Sequence, residues 1–475
     1  MYIQQIFVSG LGHASYLIGD EGTSEAAVFD PKRDIAEYLA SARDQNLRIT
    51  HVFETHLHND FVSGALELVA QTGATHHVPA GANAAYPHDP MHDGSEVSLG
   101  KVVVRALETP GHTPEHISYA VIDKSRADVP VALLTGGDLL VGAVGRPDLL
   151  GPEMAKTLAP ALYHSLHDKI LAHEDYVEVY PTHGAGSLCG RGISAKRTST
   201  IGYERRFNPA LQPKTEESFI AHVLAGDPTI PAYYARMRPT NQQGPALLDG
   251  APRQQPMTPH QVEHAIGHGS LVLDTREPAA FNGAHIPGAI SVGLAPLFST
   301  WVGSLVPLNV PLVLVVSDDA AYIEATTQLR RIGYSDPVGY LMGGMSAWAS
   351  AGLPVEHVDQ TTVHTLHENL AQKAIPALLD VRTTGEWEDN HIANAVHIPL
   401  TELPDRLNEV PQKPLTVICG SGYRSTIACS LLGRAGHEQI TNVIGGMAAW
   451  QASKNTTMAQ QQSDGQQAAM PAARS

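Results

Sequence analysis

The segment Thr55–Phe61, Thr-His-Leu-His-Asn-Asp-Phe, places two histidines and an aspartate within five residues. It follows the apolar run Ile49–Phe53, which predicts a buried strand. The segment therefore begins where a strand ends, a common position for the residues of a functional site. Imidazole and carboxylate groups at this spacing are candidate metal ligands. Alone, the run also allows a solvated loop or a structural histidine.

Three later segments each end a strand or form a turn that presents one chemically active side chain. They are Thr109–Pro114 with His112, Leu133–Asp138 with Asp138, and Val179–Gly184 with His183. Each alone could be a turn histidine or an aspartate in an Asx-turn. All of them in this order, after Thr55–Phe61, indicate one site built at the ends of several strands.

At these residues the chain resembles the metallo-β-lactamase fold family. The family pattern is T-H-x-H-x-D-H, then G-H-T-x-G, a Gly-Asp strand end and a late histidine, and the match covers about residues 1–245. The resemblance implies an α/β fold with an αββα sandwich. The chain departs from the pattern at Phe61, where the family has a histidine that helps to bind a second metal. Because phenylalanine cannot ligate, the departure favours one metal over two.

A mononuclear subset of this fold, the persulfide dioxygenases, binds ferrous iron through two histidines and one aspartate. This resemblance implies one Fe(II) per chain, with zinc possible in a purified form, held by His56, His112 and Asp138. Two histidines and one carboxylate on one face leave positions open for substrate and oxygen. Three further residues would orient the ligands and bound water through hydrogen bonds: His58, Asp60 and His183.

Three residues near this centre are candidates for handling substrate or sulfur. Arg146 lies where the same subset has an arginine close to the substrate, and could pair with an anionic thiol carrier; the alternative is a surface arginine. Thr113 is a second candidate for the substrate pocket. Cys189 lies in a glycine-rich loop similar to one that carries a functional cysteine in a bacterial three-domain persulfide dioxygenase–sulfurtransferase. A structural cysteine is the alternative there.

Composition limits the remaining classes of function. A chain of 475 residues is too long for one core, and about 150 residues per domain suggests three domains. The net charge of −17 disfavours nucleic acid and anionic membranes as partners. No apolar run reaches the roughly 18 residues of a membrane span, and the N-terminus lacks the basic start of a signal peptide. Three cysteines are too few for a disulfide framework and suit a reducing cytoplasm. We also expect the chain to form a homo-oligomer.

The second half of the chain contains an internal repeat. An Asp-x-Arg motif precedes a His-Ile segment by 11 residues in each copy, and each copy closes with Gly-Gly-Met-x-Ala-Trp, so that Trp348 and Trp450 stand 102 residues apart. Short apolar runs such as 311–316 alternate with helical stretches. This alternation predicts a parallel sheet with helices on both faces in each copy.

The repeat resembles the rhodanese homology domain through these Asp-x-Arg, His-Ile and Gly-Gly-x-x-x-Trp signatures. The second copy also has a strand that leads into Cys419 and a glycine-bearing loop that ends at Arg424. Consecutive backbone N–H groups in such a loop converge on an anion and would stabilise a sulfur anion or persulfide. The loop residues are Gly420, Ser421, Gly422 and Tyr423. In the first copy Ser317 replaces the cysteine and two aspartates follow, so we predict that this copy is inactive, a spacer or a docking surface.

Composition also predicts the domain boundaries. The metallo-β-lactamase domain takes residues 1–245, and a linker rich in Gln, Gly and Pro follows it. The two rhodanese domains take 256–356 and 362–453. Residues 454–475, rich in Gln, Ala and Ser, are predicted to form a disordered tail.

The domain order is similar to that of bacterial persulfide dioxygenase–rhodanese fusions. That resemblance implies oxidation of a low-molecular-weight thiol persulfide by O2 to sulfite, followed by transfer of a sulfane sulfur from Cys419 to sulfite, which gives thiosulfate. One alternative is a thioester hydrolase of the glyoxalase II type, which uses a metal-bound hydroxide. Another is a non-catalytic sulfur relay or persulfide sensor.

Overall fold

The computed structural model describes residues 1–213, 215–225, 230–372, 377–412 and 414–453. The predicted tail, 454–475, lies outside the described residues. The chain divides into two compact units. The first comprises residues 1–251 with 327–334, and the second comprises 252–326 with the described residues from 335 onward.

The first unit contains two six-stranded sheets. The strands of the first sheet lie in chain order: β1 Tyr2–Val8, β2 His13–Asp20, β3 Glu25–Phe29, β4 Arg48–Phe53, β5 Thr75–Pro79 and β6 Asp89–Met91. The next strands are β7 Glu96–Leu99, β8 Val102–Glu108, β9 Ile117–Asp123, β10 Pro130–Gly136, β11 Leu139–Leu140, β12 Ala143–Val144, β13 Glu178–Pro181 and β14 Ser199–Thr200. The second sheet has the order β14-β13-β10-β9-β8-β7, while β11 and β12 form a separate hairpin.

Side-chain alternation along the strands explains the layers of this unit. In β2, Tyr16 and Ile18 pack between the two sheets, whereas Leu17 packs on the outer face against the first helices. The helices are α1 Ala36–Asp44, α2 Ala65–Thr72, α3 Pro152–His164, α4 Ile201–Phe207, α5 Glu216–Val223 and α6 Tyr234–Gln243. Helices α1 and α2 cover the first sheet, and α3 and α5 cover the second. The predicted αββα sandwich is confirmed.

Shorter helical turns complete the described chain. A π-helical turn, Ser165–Ile170, continues α3. The 3-10 turns are Ala80–Ala82, Pro209–Leu211, Leu403–Asp405 and Leu407–Glu409. Within the described ranges, none of the helices has both the length and the apolar character needed to cross a membrane.

The second unit contains two parallel five-stranded sheets of the same topology. The first copy has the strand order β15-β19-β18-β16-β17, and the second has β20-β24-β23-β21-β22. Their bounds are β15 Pro256–Met257, β16 Leu271–Asp274, β17 Ile290–Ser291, β18 Leu312–Val315, β19 Gly339–Leu341, β20 Asp359–Thr361, β21 Ala377–Asp380, β22 Val396–His397, β23 Leu415–Ile418 and β24 Ile440–Val443. All of their pairings are parallel, which confirms the predicted sheets.

Helices connect these strands in the βα order that the repeat predicts. They are α7 Pro259–Gly267, α8 Pro278–Gly283, α9 Phe298–Leu305, α10 Asp319–Arg331, α11 Gly344–Ser350, α12 Val363–Ala371, α13 Thr384–Asp389, α14 Tyr423–Arg434 and α15 Gly446–Ala452. The Asp-x-Arg motif is a buried ion pair in both copies. Arg382 binds Asp380 at 2.7 Å and also donates to the carbonyl of Asn390 at 2.7 Å. Arg276 makes the equivalent contacts in the first copy, so the motif holds the loop after the strand rather than a substrate.

Candidate metal centre and sulfur-transfer loop

The loops after β4, β8 and β13 bring three buried imidazoles together. The ring centroids of His56 and His112 lie 5.0 Å apart, and that of His183 lies 5.6 Å from the first and 5.5 Å from the second. The Nε2 atom of each of these rings is buried and has no hydrogen-bond partner within the described part of the chain. The sequence segments that predicted a common site therefore do meet in space.

Hydrogen bonds to the other ring nitrogen determine the tautomer of each imidazole. His112 Nδ1 lies 3.0 Å from the carbonyl oxygen of Arg146, which only accepts, so Nδ1 carries the proton. His56 Nδ1 lies 2.8 Å from the hydroxyl oxygen of Thr55, whose own proton goes to Asp30. His183 Nδ1 lies 3.4 Å from the hydroxyl oxygen of Ser187 and 3.5 Å from a carboxylate oxygen of Asp60. In all three rings the Nε2 lone pair is therefore available to a metal.

Asp138 is held from both sides at the end of β10. Its Oδ1 accepts the backbone N–H of His112 at 3.0 Å, and its Oδ2 lies 3.3 Å from Nδ1 of His116. His116 accepts the N–H of Gly137 on Nε2 at 2.9 Å, so its proton is on Nδ1 and faces Thr109 and Asp138. His116 is thus a support for the carboxylate. The sequence analysis missed it, although it stands only four residues after His112.

The polar groups in this pocket fit a divalent cation. Besides the three Nε2 atoms, both carboxylate oxygens of Asp60 and Oδ2 of Asp138 are buried without a hydrogen-bond partner in the described chain. Buried polar atoms are normally paired, so this concentration of unpaired acceptors fits a positively charged group. Nitrogen and oxygen donors suit iron or zinc.

Burial shifts the pKa values of the three imidazoles and of the Asp138 carboxyl. It lowers the pKa of His56 and His183 well below the ordinary value and that of His112 to about 4, so the rings are neutral at pH 7. The same burial raises the pKa of the Asp138 carboxyl well above its ordinary value. A bound cation would compensate that carboxylate.

Donor distances single out His183 within the pocket. Two groups of donor atoms lie within 4.8 Å of one another around it: His56 with His58 and His183, and His112 with His183 and Cys189. Asp138 belongs to neither group. His183 was predicted as a support, and the structure places its lone pair among those of the two predicted imidazole ligands.

His58 lies beside the centre but directs one nitrogen away from it. Its Nε2 lies 3.2 Å from Asp30 and 3.1 Å from Glu54. Burial alone would lower the pKa of His58, but these carboxylates raise it to about 10. Asp30 also accepts from the backbone and hydroxyl of Thr55 at 2.7 and 2.9 Å and from Thr182 at 2.5 Å, which ties the ends of β3, β4 and β13 together.

Phe61 places a ring that cannot ligate where the family pattern has a ligand. The side chain is fully buried, and its ring centroid lies 4.0 Å from that of His13 and 4.4 Å from that of His58. Burial raises the pKa of the neighbouring Asp60 to about 6. His13, which the sequence analysis missed, bonds to the carbonyl of Asp30 at 2.8 Å through Nε2.

The predicted substrate residues lie next to the imidazoles, with partners of their own. Arg146 is buried and binds Asp148 through two nitrogens at 2.9 and 3.0 Å. Its side chain lines a cavity of about 390 Å³ that Arg191 and His222 also line. Thr113 is fully buried beside His112, and its hydroxyl has no partner among the described residues.

Cys189 lies at the imidazole cluster. Its sulfur is within 4.8 Å of ring nitrogens of His112 and His183, and 4.0 Å from the hydroxyl of Tyr234. Burial raises the pKa of the Cys189 thiol well above its ordinary value. Its carbonyl accepts the N–H of Arg146 at 2.9 Å, which joins the glycine-rich loop to the segment after Asp138.

The second rhodanese copy places Cys419 in a loop between β23 and α14. The backbone N–H of Gly422 donates to its sulfur at 3.1 Å, and the hydroxyl of Ser425 donates at 3.4 Å. Gly422 has φ +107°, a backbone conformation that favours glycine. Gly446 lies directly behind the loop, where a Cβ would approach the carbonyl oxygen of Cys419 to 2.3 Å. The closing signature of the repeat therefore permits this close approach.

The remaining loop residues have distinct environments. Arg424 binds Glu386 through two nitrogens at 2.6 and 2.7 Å, so its charge is balanced by a carboxylate that the sequence analysis missed. Gly420 accepts the N–H of Ala448 at 2.9 Å, and Tyr423 donates its hydroxyl to the carbonyl of Gly293 at 2.7 Å. Ser421 is exposed at the tip of the loop.

The corresponding loop of the first copy has a different chemistry. Ser317 is exposed and lies 3.3 Å from a carboxylate oxygen of Asp318. Asp318 caps the N–H of Ala321 at 2.8 Å, and Asp319 accepts the hydroxyl of Tyr340 at 2.6 Å. The two carboxylates are thus bound to their own loop and sheet, beside a hydroxyl instead of a thiol.

Comparisons with known proteins match the two halves of the chain to different families. The metallo-beta-lactamase superfamily matches residues 8–127, and the rhodanese-like domain matches residues 258–351 and 362–453. Persulfide dioxygenase ETHE1 of Bos taurus is 28% identical over 216 residues, which is 45% of this chain and 78% of that protein. A hydroxyacylglutathione hydrolase of Rhodopseudomonas palustris is 30% identical over 231 residues, 48% of this chain and 80% of that protein.

A solved structure extends the similarity beyond the first domain. The crystal structure of a metallo-beta-lactamase from Staphylococcus aureus subsp. aureus COL aligns with a TM-score of 0.64 and 32% sequence identity. The alignment covers 71% of this chain and 98% of that one. The chain therefore belongs to the metallo-β-lactamase superfamily, as a fusion of a domain with persulfide dioxygenase relatives to two rhodanese-like domains.

Proposed function

We propose that this chain is an iron-dependent persulfide dioxygenase coupled to a sulfurtransferase. It oxidises low-molecular-weight thiol persulfides with O2 to sulfite, and it forms thiosulfate through Cys419. The observation that carries the proposal is the set of buried Nε2 lone pairs on His56, His112 and His183 beside Asp138, in one chain with a cysteine held by a backbone N–H. The similarity to persulfide dioxygenases supports it.

His56, His112 and Asp138 would hold one ferrous ion, whose chemistry when bound is to accept a sulfur ligand and activate oxygen. The chain's own residues prepare that site. Thr55 and the carbonyl of Arg146 hold the two rings in the Nδ1-protonated tautomer. His116 keeps a proton next to the Asp138 carboxylate. These fixed contacts leave the Nε2 atoms of both rings buried and without a hydrogen-bond partner in the described chain.

Sulfur transfer at Cys419 is a two-step exchange. The thiolate of Cys419 attacks the outer sulfur of a second persulfide, the S–S bond breaks, and the carrier leaves as its thiolate. Sulfite then attacks the outer sulfur of the Cys419 persulfide, so that thiosulfate forms and the Cys419 thiolate is regenerated. The N–H of Gly422 and the hydroxyl of Ser425 stabilise the negative sulfur in both resting and departing forms.

The test is an oxygen-electrode trace on anaerobically purified, iron-loaded protein with glutathione persulfide and coenzyme A persulfide as alternative substrates. We expect one O2 consumed for each persulfide oxidised, about one iron per chain, and thiosulfate as the product when persulfide is in excess. Protein with full iron content that consumes no oxygen with any thiol persulfide would overturn the proposal.

A thioester hydrolase is the second candidate, because a hydroxyacylglutathione hydrolase is 30% identical over 231 residues. Phe61, whose ring packs against His13 and His58 and cannot ligate, opposes the second metal that such hydrolases normally use. Hydrolysis of S-lactoylglutathione by the same preparation, together with two metals per chain, would favour the hydrolase instead.

A further inference from the structure

The hydroxyl of Thr426, on α14, joins the first rhodanese copy to the Cys419 loop. It donates to the carbonyl oxygen of Gly422 at 2.9 Å. It accepts from the amide nitrogen of Asn282 at 3.1 Å and from that of Asn442 at 3.2 Å. Because both amide N–H groups only donate, the single hydroxyl proton is directed to Gly422. Thr426 is fully buried and Asn282 is 2% exposed, so water does not compete for these bonds.

Gly422 is the residue whose N–H contacts the reactive sulfur. It is fixed on one side by its bond to Cys419 and on the other by the hydroxyl of Thr426. The carbonyl of Gly422 also accepts the backbone N–H of Thr426 at 3.2 Å, at the start of α14, so two donors of Thr426 hold it. The direction of the N–H toward the sulfur therefore depends on how firmly the carbonyl of Gly422 is held.

The first copy reaches this loop directly. Asn282 belongs to α8 of the first copy, and Gly293, which accepts the hydroxyl of Tyr423, lies in the segment after β17. One turn of α14 beyond Thr426, the hydroxyl of Ser430 accepts the N–H of Ser291 at 3.0 Å. The copy without a thiol thus binds the same helix whose start forms the sulfur cradle.

We propose that the first rhodanese copy is a positioning element for sulfur transfer, acting from Asn282 through Thr426 on the Gly422 N–H that holds Cys419. This inference rests on the proposed function of Cys419. The sequence predicted that this copy is inactive, a spacer or a docking surface, and the inference gives one of its buried side chains a defined role. Asn282 is a positioning residue, since it acts only through Thr426.

The sharpest variant is Asn282→Asp, which keeps the shape and reverses the hydrogen bond. A carboxylate accepts, and a charge-assisted bond is the stronger one, so the Thr426 proton turns toward residue 282 and leaves the carbonyl of Gly422. Thr426→Val removes the hydroxyl at the same volume, and Thr426→Ser restores it. Ser430→Ala is the matched control, because it removes a buried bond between the same two copies without touching the loop.

The readout is the pH profile of iodoacetamide alkylation at Cys419, followed by mass spectrometry of its peptide, in the full iron-loaded chain. We expect Asn282→Asp and Thr426→Val to slow alkylation at pH 7 by about three- to tenfold, the value of roughly one buried hydrogen bond. The profile should shift to higher pH, and kcat for thiosulfate formation should fall with KM for sulfite unchanged. Thr426→Ser and Ser430→Ala should match the parent chain, and oxygen uptake should be equal in all.

Parent-like alkylation in both Asn282→Asp and Thr426→Val, with folding confirmed by thermal unfolding, would overturn the inference. An equal effect in Ser430→Ala would also overturn it, since general loosening of the two copies would then explain the loss. If Asn282→Asp fails to fold, the contrast between Thr426→Val and Thr426→Ser decides. Failure of the proposed function would give another result. The parent chain would then carry no persulfide on Cys419, whatever the pH profile of its alkylation.

Discussion

The three imidazoles at the candidate centre differ in the partner of Nδ1, and each has a buried Nε2 without a hydrogen-bond partner in the described chain. A carbonyl holds the proton of His112, a hydroxyl that donates elsewhere holds that of His56, and a carboxylate faces that of His183. His58 differs because two carboxylates face its Nε2, so that nitrogen is already occupied. The same residue type therefore has different chemistry at each position, decided by one hydrogen bond.

Replacing His56, His112 or Asp138 by Ala should each abolish iron binding and oxygen uptake, because the site loses one of three predicted ligands. His58→Ala should cost about 10- to 100-fold in metal affinity, as the loss of an orienting partner typically does. Iron content by atomic absorption checks both. His164→Ala, at an exposed histidine, is the control for removing any imidazole. Complete iron loss in His183→Ala would make that residue a ligand, and the same result in His58→Ala would refute the predicted ligand set.

Phe61→His should raise the zinc stoichiometry and lower dioxygenase activity. The new imidazole would replace an apolar ring next to Asp60, whose two carboxylate oxygens have no partner in the described chain. A second cation there would disturb the open positions of the first. Phe61→Leu is the control for lost aromatic packing. Unchanged metal content in Phe61→His would show that Phe61 does not determine the number of metals.

At the scale of elements, sequence analysis found the residues that stand at a regular spacing and missed those that do not. Strand ends with histidines at fixed offsets and the repeated Asp-x-Arg motif were visible in the sequence. Asp30 was not, because a single aspartate after β3 carries no pattern, and its role depends on β3, β4 and β13 ending side by side. Its φ of +49°, rare for a residue with a side chain, is likewise visible only in the structure. Glu386 was missed for the same reason, since it meets Arg424 only across the rhodanese fold.

The ion pair between α13 and α14 leads to a prediction for the loop. Arg424→Ala should slow thiosulfate formation, because it leaves the Glu386 carboxylate uncompensated close to Gly420, where it disfavours a sulfur anion. We expect a loss of roughly three- to tenfold, smaller than that of Cys419→Ser, since the Gly422 N–H remains. Adding Glu386→Gln to Arg424→Ala should recover part of the rate. If the double variant is no faster than Arg424→Ala, the effect does not come from the unbalanced carboxylate.

At the scale of the whole molecule, the two chemistries use separate kinds of site. The first unit gathers nitrogen and oxygen donors at the ends of strands from two sheets, and the second holds one sulfur at the start of a helix. The product of the first proposed reaction, sulfite, is a substrate of the second. The proposed order of reactions therefore explains why both sites occur in one chain, and we expect that each site can be removed without loss of the other.

Cys419→Ser should separate the two activities. Among the described residues, those of the candidate metal centre all belong to the first unit, so oxygen uptake should persist at the parent rate. A serine hydroxyl cannot form a persulfide, so the product should shift from thiosulfate to sulfite. Ser317→Ala, at the equivalent position of the first copy, should change neither product. Chromatography that resolves sulfite from thiosulfate decides. Undiminished thiosulfate from Cys419→Ser would mean that another sulfur carries the transfer, and Cys189, beside His112 and His183, would be the next thiol to replace.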